Sequence, residues 1–245
     1  AGAELGTLFG RFAIGWDGTG LAGLNASGRA PAAWSPAHFA GARAIGPRGW
    51  SAVTIPGAVS GWVALSQRYG KLPFTDLFDP AIRYARDGFL VTPTVAGYWK
   101  RAEALLPRDL GFAEHFLPHG RAPRAGERFA NPALADSLEK IAATDGDAFY
   151  RGELAQAIVR HAQAHGEVHT LADFAQHTAD WVTPLAQGYR GFDVHEIPPN
   201  GQGVAALAAL GILSHFDMSA LDVDSVASQH LQIEAMKLAF AGERE

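Results

Sequence analysis

The pattern of apolar and polar residues predicts strands near the start of the chain and helices through most of the rest. Two β-forming runs, 12–16 and 21–25, flank the turn Asp17-Gly18-Thr19-Gly20, and Asp-Gly between apolar runs is a strong hairpin signal. A further strand or strand pair is predicted around Gly191, and Ser35-Pro36 predicts the start of a short helix. Helical periodicity and caps predict the remaining helices, over 58–69, 74–87, 94–106, 132–143, 152–164, 170–175, 204–215 and around 230–239. We therefore predict one mostly helical α+β unit over residues 1–245.

Composition excludes several classes of function. The 245 residues are 48% hydrophobic, so the chain can bury a sizeable core. The absence of cysteine excludes disulfides, thiolate metal sites, iron–sulfur clusters and a cysteine nucleophile. A net charge of -5 without a basic stripe argues against a nucleic-acid partner, and the lack of a long apolar run argues against a membrane span.

The two ends of the sequence suggest a piece of a longer protein. The chain begins at Ala1 without methionine, and it stops at Glu245 inside a segment with helical spacing of apolar residues. We expect the region to be incomplete at both ends, as in a fragment or a processed subunit. A terminal helix that frays is the simpler alternative.

A histidine group is the first candidate site. His161 and His165 are four residues apart on a predicted helix, so they share one face, and His169 follows closely. The alternative is a solvated helix end that runs into a loop at Gly166. No glutamate lies beside His161 as the zinc-protease motif requires, and we predict no metal site.

Two loops form the other candidates. Arg29 lies in a loop with Ser27 and Gly28, where a guanidinium could hold a carboxylate by two hydrogen bonds or could be an ordinary surface arginine. Asn200 lies in Pro198-Pro199-Asn200-Gly201-Gln202-Gly203, ahead of a strongly apolar helix. It could cap that helix, or the free amides there could bind an anion.

Several sequence blocks, in order, resemble the gamma-glutamyltransferase family. The clearest is Pro56-Gly57-Ala58-Val59-Ser60-Gly61-Trp62, which is similar to the family's Pro-Gly-x-Val-x-Gly-Trp block. Each block is weak alone, but together they cover the chain from about Phe12 onward. The other matching blocks are 68–74, 79–82, 87–89, 136–138, 148–152, 171–174, 189–192, 198–203 and 234–241.

The resemblance implies the fold and the chemistry of an N-terminal nucleophile hydrolase. Such enzymes have an αββα layered fold built from two subunits, and the precursor cuts itself. The new N-terminal threonine of the small subunit attacks an amide, with its own α-amine as the base. The resemblance implies no cofactor. It also implies that this chain is a large-subunit part without catalytic residues, whose partner is the small subunit.

One departure from the family pattern changes the expected substrate. Transferases carry Arg-Glu-x-Ala-Pro at this point, whereas this chain has Ser27-Gly28-Arg29-Ala30-Pro31, so Ser27 occupies the arginine position. The changed motif resembles the acylase and amidohydrolase branch, which includes cephalosporin-acylase-like and oxamate-amidohydrolase-like proteins. We expect hydrolysis of a small-molecule amide with an acidic acyl group, contacted by Arg29, with Asn25 and Ser27 lining the pocket. The branch also suggests a cytoplasmic protein, with a periplasmic or secreted protein as the alternative.

Two alternatives stay open. In one, the protein is an ordinary gamma-glutamyltransferase or glutathione hydrolase, and Arg29 reaches the same carboxylate from a shifted loop. In the other, no small subunit exists, and the chain is a non-catalytic binding or structural module. A threonine that begins a small subunit, further along the complete reading frame, would distinguish the two.

Overall fold

The computed structural model describes residues 12–106 and 111–242, which contain ten α-helices and seven strands. The helices are α1 (Ala58–Tyr69), α2 (Asp79–Asp87), α3 (Pro93–Leu105), α4 (Phe112–Phe116), α5 (Pro132–Ala143), α6 (Asp147–Tyr150), α7 (Glu153–Ala164), α8 (Leu171–Ala175), α9 (Gly203–Leu213) and α10 (Val226–Gly242). The strands are β1 (Phe12–Trp16), β2 (Leu21–Asn25), β3 (Phe89–Leu90), β4 (Arg128–Phe129), β5 (Asp180–Val182), β6 (Leu185–Tyr189) and β7 (Phe192–Glu196).

The chain folds into two compact units. Of the described residues, the first contains 12–64 and 167–242, and the second contains 65–106 and 111–166. Helix makes up 49% of the structure and strand 12%, which agrees with the predicted, mostly helical α+β class. No helix among the described residues is long and apolar enough to cross a membrane.

The first unit contains the predicted β1–β2 hairpin. The strands pair antiparallel from Phe12 opposite Asn25 to Trp16 opposite Leu21. At the turn, the Asp17 carboxylate accepts hydrogen bonds from two backbone amides, at 2.9 and 3.0 Å. β5 pairs antiparallel with the other edge of β2, and this register connects positions far apart in the sequence, from Gly23 opposite Val182 to Asn25 opposite Asp180.

The first unit also contains a second hairpin and the helices α9 and α10. β6 and β7 pair antiparallel around a turn in which Arg190 and Gly191 have positive φ angles, as in two-residue hairpin turns. Of the two alternatives predicted around Gly191, one long strand or a strand pair, the structure has the pair. α9 and α10 pack through small residues, which allow close approach, and their buried cluster is Ala205, Ala209, Leu213, Ala235 and Ala239.

The second unit is mainly helical. α2 packs against α5, and Arg86 of α2 forms ion pairs with Asp136 and Glu139 of α5 at 2.9 and 2.7 Å. α5, α6 and α7 pack in sequence, and β3 pairs antiparallel with β4. The sequence contains no linker that marks the division between the two units.

Two predicted helices differ in the structure. The helix expected over 74–87 is split into a 3-10 turn, Thr75–Leu77, and α2, which begins at Asp79 with Pro80 in its first turn. Proline lacks the amide hydrogen of an interior helical residue, so it favours a new start. The short helix expected from Ser35-Pro36 is only a series of turns.

Candidate substrate-binding site

The loop that follows β2 is held by asparagine side chains. Asn25, the last residue of β2, accepts a hydrogen bond from the Ser27 amide at 3.0 Å through Oδ1. Its Nδ2 donates to Oδ1 of Asn200 at 3.1 Å. The predicted pocket residues Asn25 and Ser27 therefore lie together, and the segment before α9 joins them.

Two glycines let this loop pack directly against the 54–57 backbone. A Cβ on Gly28 would lie 2.1 Å from the Ile55 carbonyl oxygen, and one on Gly57 would lie 2.0 Å from the Ala26 carbonyl oxygen. The Ile55 amide also donates to the Arg29 carbonyl oxygen at 3.0 Å. The Pro-Gly block of the family resemblance is therefore a packing surface for the loop that carries Arg29.

Arg29 projects from this loop toward β5. Its Nη2 donates to Oδ2 of Asp180 at 2.8 Å, and both side chains are more than half exposed, at 61% and 55%. The β2–β5 register places Asp180 directly opposite Asn25. Exposed ion pairs contribute at most about 1 kcal/mol, so an incoming carboxylate can rearrange this one at little cost.

A buried histidine that the sequence did not reveal lies beneath the loop. His177 is only 4% exposed, and its Nε2 is 3.1 Å from Oγ of Ser60, whose hydroxyl donates to the Gly57 carbonyl at 2.7 Å. Burial lowers the pKa of His177, the positive charge of Arg29 lowers it further, and Asp180 opposes the change. The structure therefore favours neutral His177.

Asp173 connects the far end of the loop to α8. Its Oδ1 accepts from the Ala32 amide at 2.9 Å, while its Oδ2 accepts from the amide and hydroxyl of Thr170 at 2.8 and 2.7 Å. Burial raises the pKa of Asp173, but these hydrogen bonds outweigh it, so the net pKa is lowered and the carboxylate is ionised. The Thr-x-x-Asp spacing signals the helix cap, but no sequence pattern signals the bond to Ala32.

Asn200 does not cap α9 as the sequence suggested. Gln202 occupies the N-cap position without a side-chain capping bond, and Asn200 bonds Asn25 instead. Asn200 also lines an open cavity of about 680 Å³ within the first unit. The cavity is lined by Pro199, Asn200, Gly201, Gln202, Val204, Ala208, Ile212, Leu238, Ala239 and Gly242.

The three histidines do not form a ligand set. The rings of His161 and His165 stack with centroids 4.3 Å apart, and Nδ1 of His165 donates to the His161 carbonyl at 2.7 Å. His169 is buried in the first unit, where its Nε2 donates to the Val53 carbonyl at 2.7 Å. Across 12–106 and 111–242, no group of three or more His, Asp or Glu residues is arranged to hold a metal ion.

The chain is similar to known proteins over almost its whole length. It is 39% identical over 217 residues to the glutathione hydrolase-like YwrD proenzyme of Bacillus subtilis, which covers 88% of this chain and 41% of that protein. It is 36% identical over 194 residues to the acylase ACY 1 proenzyme of a Pseudomonas strain, covering 79% and 35%. It is 37% identical over 225 residues to the oxamate amidohydrolase proenzyme of Klebsiella pneumoniae, covering 89% and 42%. The chain thus spans about two-fifths of the length of these relatives.

Solved structures show the same family likeness as the sequences. Cephalosporin acylase from Bacillus halodurans matches with a TM-score of 0.87 and 43% identity, covering 94% of this chain and 44% of that one. Gamma-glutamyltranspeptidase from Helicobacter pylori matches with a TM-score of 0.89 and 25% identity, covering 95% and 69%. These similarities confirm the predicted fold class of an N-terminal nucleophile hydrolase. The family model described as gamma-glutamyltranspeptidase matches residues 10–245, and the chain therefore belongs to the gamma-glutamyltranspeptidase, or gamma-glutamyltransferase, family.

Proposed function

We propose that this chain is the large-subunit part of a self-processing amide hydrolase that prefers a small acidic acyl group. Relatives named as an acylase proenzyme and an oxamate amidohydrolase proenzyme support this reaction class and a separately processed small subunit. The cytoplasmic location suggested by the acylase-like branch stays a prediction.

The proposed reaction uses the small subunit for bond making and this chain for recognition. The N-terminal threonine hydroxyl of the small subunit attacks the amide carbon while the threonine α-amine takes its proton. The C–N bond then breaks, and the leaving amine receives that proton. Water hydrolyses the resulting ester, which releases the acid and restores the threonine. The large subunit supplies the contact to the acyl carboxylate, at Arg29.

The position and exposure of Arg29 carry the proposal. Ser27, which stands where transferases carry arginine, is half-buried and has no charge to balance a carboxylate. Arg29, two residues later, presents an exposed guanidinium that forms one bond to Asp180. A guanidinium offers five donors in a fork that matches a carboxylate, so Arg29 is suited to this contact.

Asp180 favours a second candidate, hydrolysis of gamma-glutamyl amides. Its carboxylate lies 2.8 Å from Arg29 and could pair with the α-ammonium group of a gamma-glutamyl substrate while Arg29 holds the α-carboxylate. The glutathione hydrolase proenzyme of Escherichia coli, 33% identical over 192 residues, supports this candidate.

The first experiment is an intact mass and a denaturing gel of the complete gene product, with N-terminal sequencing of any smaller band. Two bands, the smaller beginning with threonine, are expected. A single uncleaved band would contradict a self-processing hydrolase and leave the non-catalytic module.

The processed enzyme is then assayed on three p-nitroanilides. Glutaryl and pentanoyl anilides differ in the terminal carboxylate, and γ-glutamyl anilide adds an α-amine to glutaryl. We expect Arg29→Ala to lower kcat/KM for the glutaryl anilide about 10- to 100-fold, because a hydrogen bond to a charged group contributes about 1.5–3 kcal/mol. Activity on the pentanoyl anilide should not change.

Equal effects of Arg29→Ala on the glutaryl and pentanoyl anilides would contradict the carboxylate contact. Wild-type turnover of the γ-glutamyl anilide well above that of the glutaryl anilide would select the second candidate. Arg121→Ala, an arginine of the second unit bound to Glu127, is the matched control and should leave all three activities unchanged.

A further inference from the structure

The loop that carries Arg29 is fixed at both ends. At its start, Asn25 pairs with β5 and Ala26 is completely buried. Near its end, Pro31 is fully buried, and the next residue, Ala32, donates its amide hydrogen to Asp173. Arg29 itself is exposed. Because both ends of its loop are fixed, they determine where its guanidinium can reach.

Asp173 is well placed to fix the far end of the loop. The same carboxylate closes the capping box of α8 with Thr170 and holds Ala32, so it connects a helix terminus to the loop. The next residue, Phe174, is completely buried and anchors α8 in the core of the first unit. The ionised carboxylate makes charge-assisted hydrogen bonds, which are about twice as strong as neutral ones.

We propose that Asp173 is a positioning residue for substrate recognition, which ties the far end of the Arg29 loop, at Ala32, to α8 and thereby sets the selectivity for acidic acyl groups. The inference rests on the proposed role of Arg29. Asp173 bonds the backbone three residues beyond Arg29, so it acts through the loop rather than on the substrate. Its loss should weaken binding of the acyl carboxylate and leave the bond-making step unaffected.

The test compares three variants of the complete processed enzyme on glutaryl and pentanoyl p-nitroanilides. Asp173→Ala removes both the helix cap and the bond to Ala32. Thr170→Val removes the capping hydroxyl but keeps the bond between Asp173 and Ala32, so it is the matched control for helix stability. Arg29→Ala reports whether the carboxylate contact exists.

We expect Asp173→Ala to raise KM for the glutaryl anilide about tenfold, the size of one charge-assisted hydrogen bond, without changing its kcat. Kinetics on the pentanoyl anilide should stay the same. Thr170→Val should lower Tm and leave the selectivity intact. If Asp173→Ala does not fold, Asp173→Asn keeps the size of the side chain and exchanges one accepting oxygen for an amide nitrogen, and it should shift KM in the same direction.

Three outcomes would overturn the inference. If Arg29→Ala reduces selectivity but Asp173→Ala and Asp173→Asn do not, the carboxylate contact stands and the positioning role is wrong. A parallel loss of activity on both anilides in the Asp173 variants would also overturn it, because that pattern indicates general damage. Unchanged selectivity in Arg29→Ala would refute the contact itself, and the positioning role with it.

Discussion

Arg29 in the first unit and Arg121 in the second both lie in loops, but their guanidinium groups make different contacts. Arg121 makes three hydrogen bonds, two to the Glu127 carboxylate at 2.8 and 2.9 Å and one to the Ala122 carbonyl at 3.0 Å. Arg29 makes one bond, to Asp180, and is more exposed, at 61% against 36%. The Arg121 guanidinium is therefore committed to its own turn, whereas Arg29 extends from its loop.

The residues around the two arginines also differ: those around Arg121 are close to it in the sequence, and those around Arg29 are distant. Glu127 also accepts from the Arg124 amide, and the Arg121 bond followed by this one lowers the pKa of Glu127 to about 2. Around Arg29 the polar groups come from distant parts of the chain: Asn200 accepts from the side chain of Asn25, and Asp173 accepts from the backbone amide of Ala32. The Arg121 pair is local and stabilises its own turn, whereas Arg29, the proposed ligand contact, extends from a loop that distant residues hold in place.

The largest effect on the difference between the two arginines is expected when the close packing of the Arg29 loop is disturbed. In Gly28→Ala, the new Cβ would lie 2.1 Å from a backbone oxygen and 2.5 Å from the Thr54 hydroxyl, so the loop must move. Such overpacking costs about 1–3 kcal/mol, so a clear drop in Tm and a loss of selectivity for the glutaryl anilide are expected. Thermal unfolding and the anilide assay measure the two effects.

Gly97→Ala is the control for this substitution. Gly97 lies inside α3 with open space around the Cβ position, so alanine should raise stability by about 0.5–1 kcal/mol. A Gly28→Ala variant as stable and as selective as the wild type would show that the close approach is not needed.

The second prediction concerns the pH dependence of stability that follows from the burial of His177. Because the pKa of His177 is lowered in the folded state, the unfolded chain binds the proton more tightly. This contribution to stability is fully present above the ordinary pKa of 6.5 and is lost as pH falls from there through the lowered folded value. His177→Gln should flatten the Tm profile over this range.

His215→Gln, at an exposed histidine, is the control and should keep the wild-type profile. If the profiles of the wild type and His177→Gln run parallel below pH 6.5, burial of neutral His177 does not contribute to the acid sensitivity.

The smallest effect is expected at the ion pair between Arg121 and Glu127. Arg121→Ala should lower Tm slightly at pH 7, because an exposed pair contributes little even with good geometry. Since the pKa of Glu127 is lowered from 4.5 to about 2, the difference between wild type and variant should shrink as pH falls through that range. A change in anilide selectivity would mean that Arg121 contributes to recognition and would remove the contrast with Arg29.

The sequence by itself determined the features that depend on neighbouring residues. The β1–β2 hairpin follows from Asp17-Gly18 between two apolar runs, and α5 follows from the Asn131 cap and the apolar periodicity. The sequence also places Ser27 and Arg29 in one loop, with Asn25 at the end of the preceding strand, because the three residues are close in the sequence. The helix predicted from Ser35-Pro36 was wrong because local caps do not stabilise a short helix without an apolar face to bury, and residues 35–44 are mostly exposed.

Only the tertiary structure decided what surrounds that loop. The bonds from Asn25 to Asn200 and from Ala32 to Asp173 join residues 175 and 141 positions apart, and no local periodicity or cap encodes such a pairing. His177 and His169 are buried, whereas His165 is exposed, and the neighbouring residues in the sequence do not distinguish the three. Helices and turns form from interactions within a few residues, but burial and the contacts of a side chain depend on which distant segments pack against it.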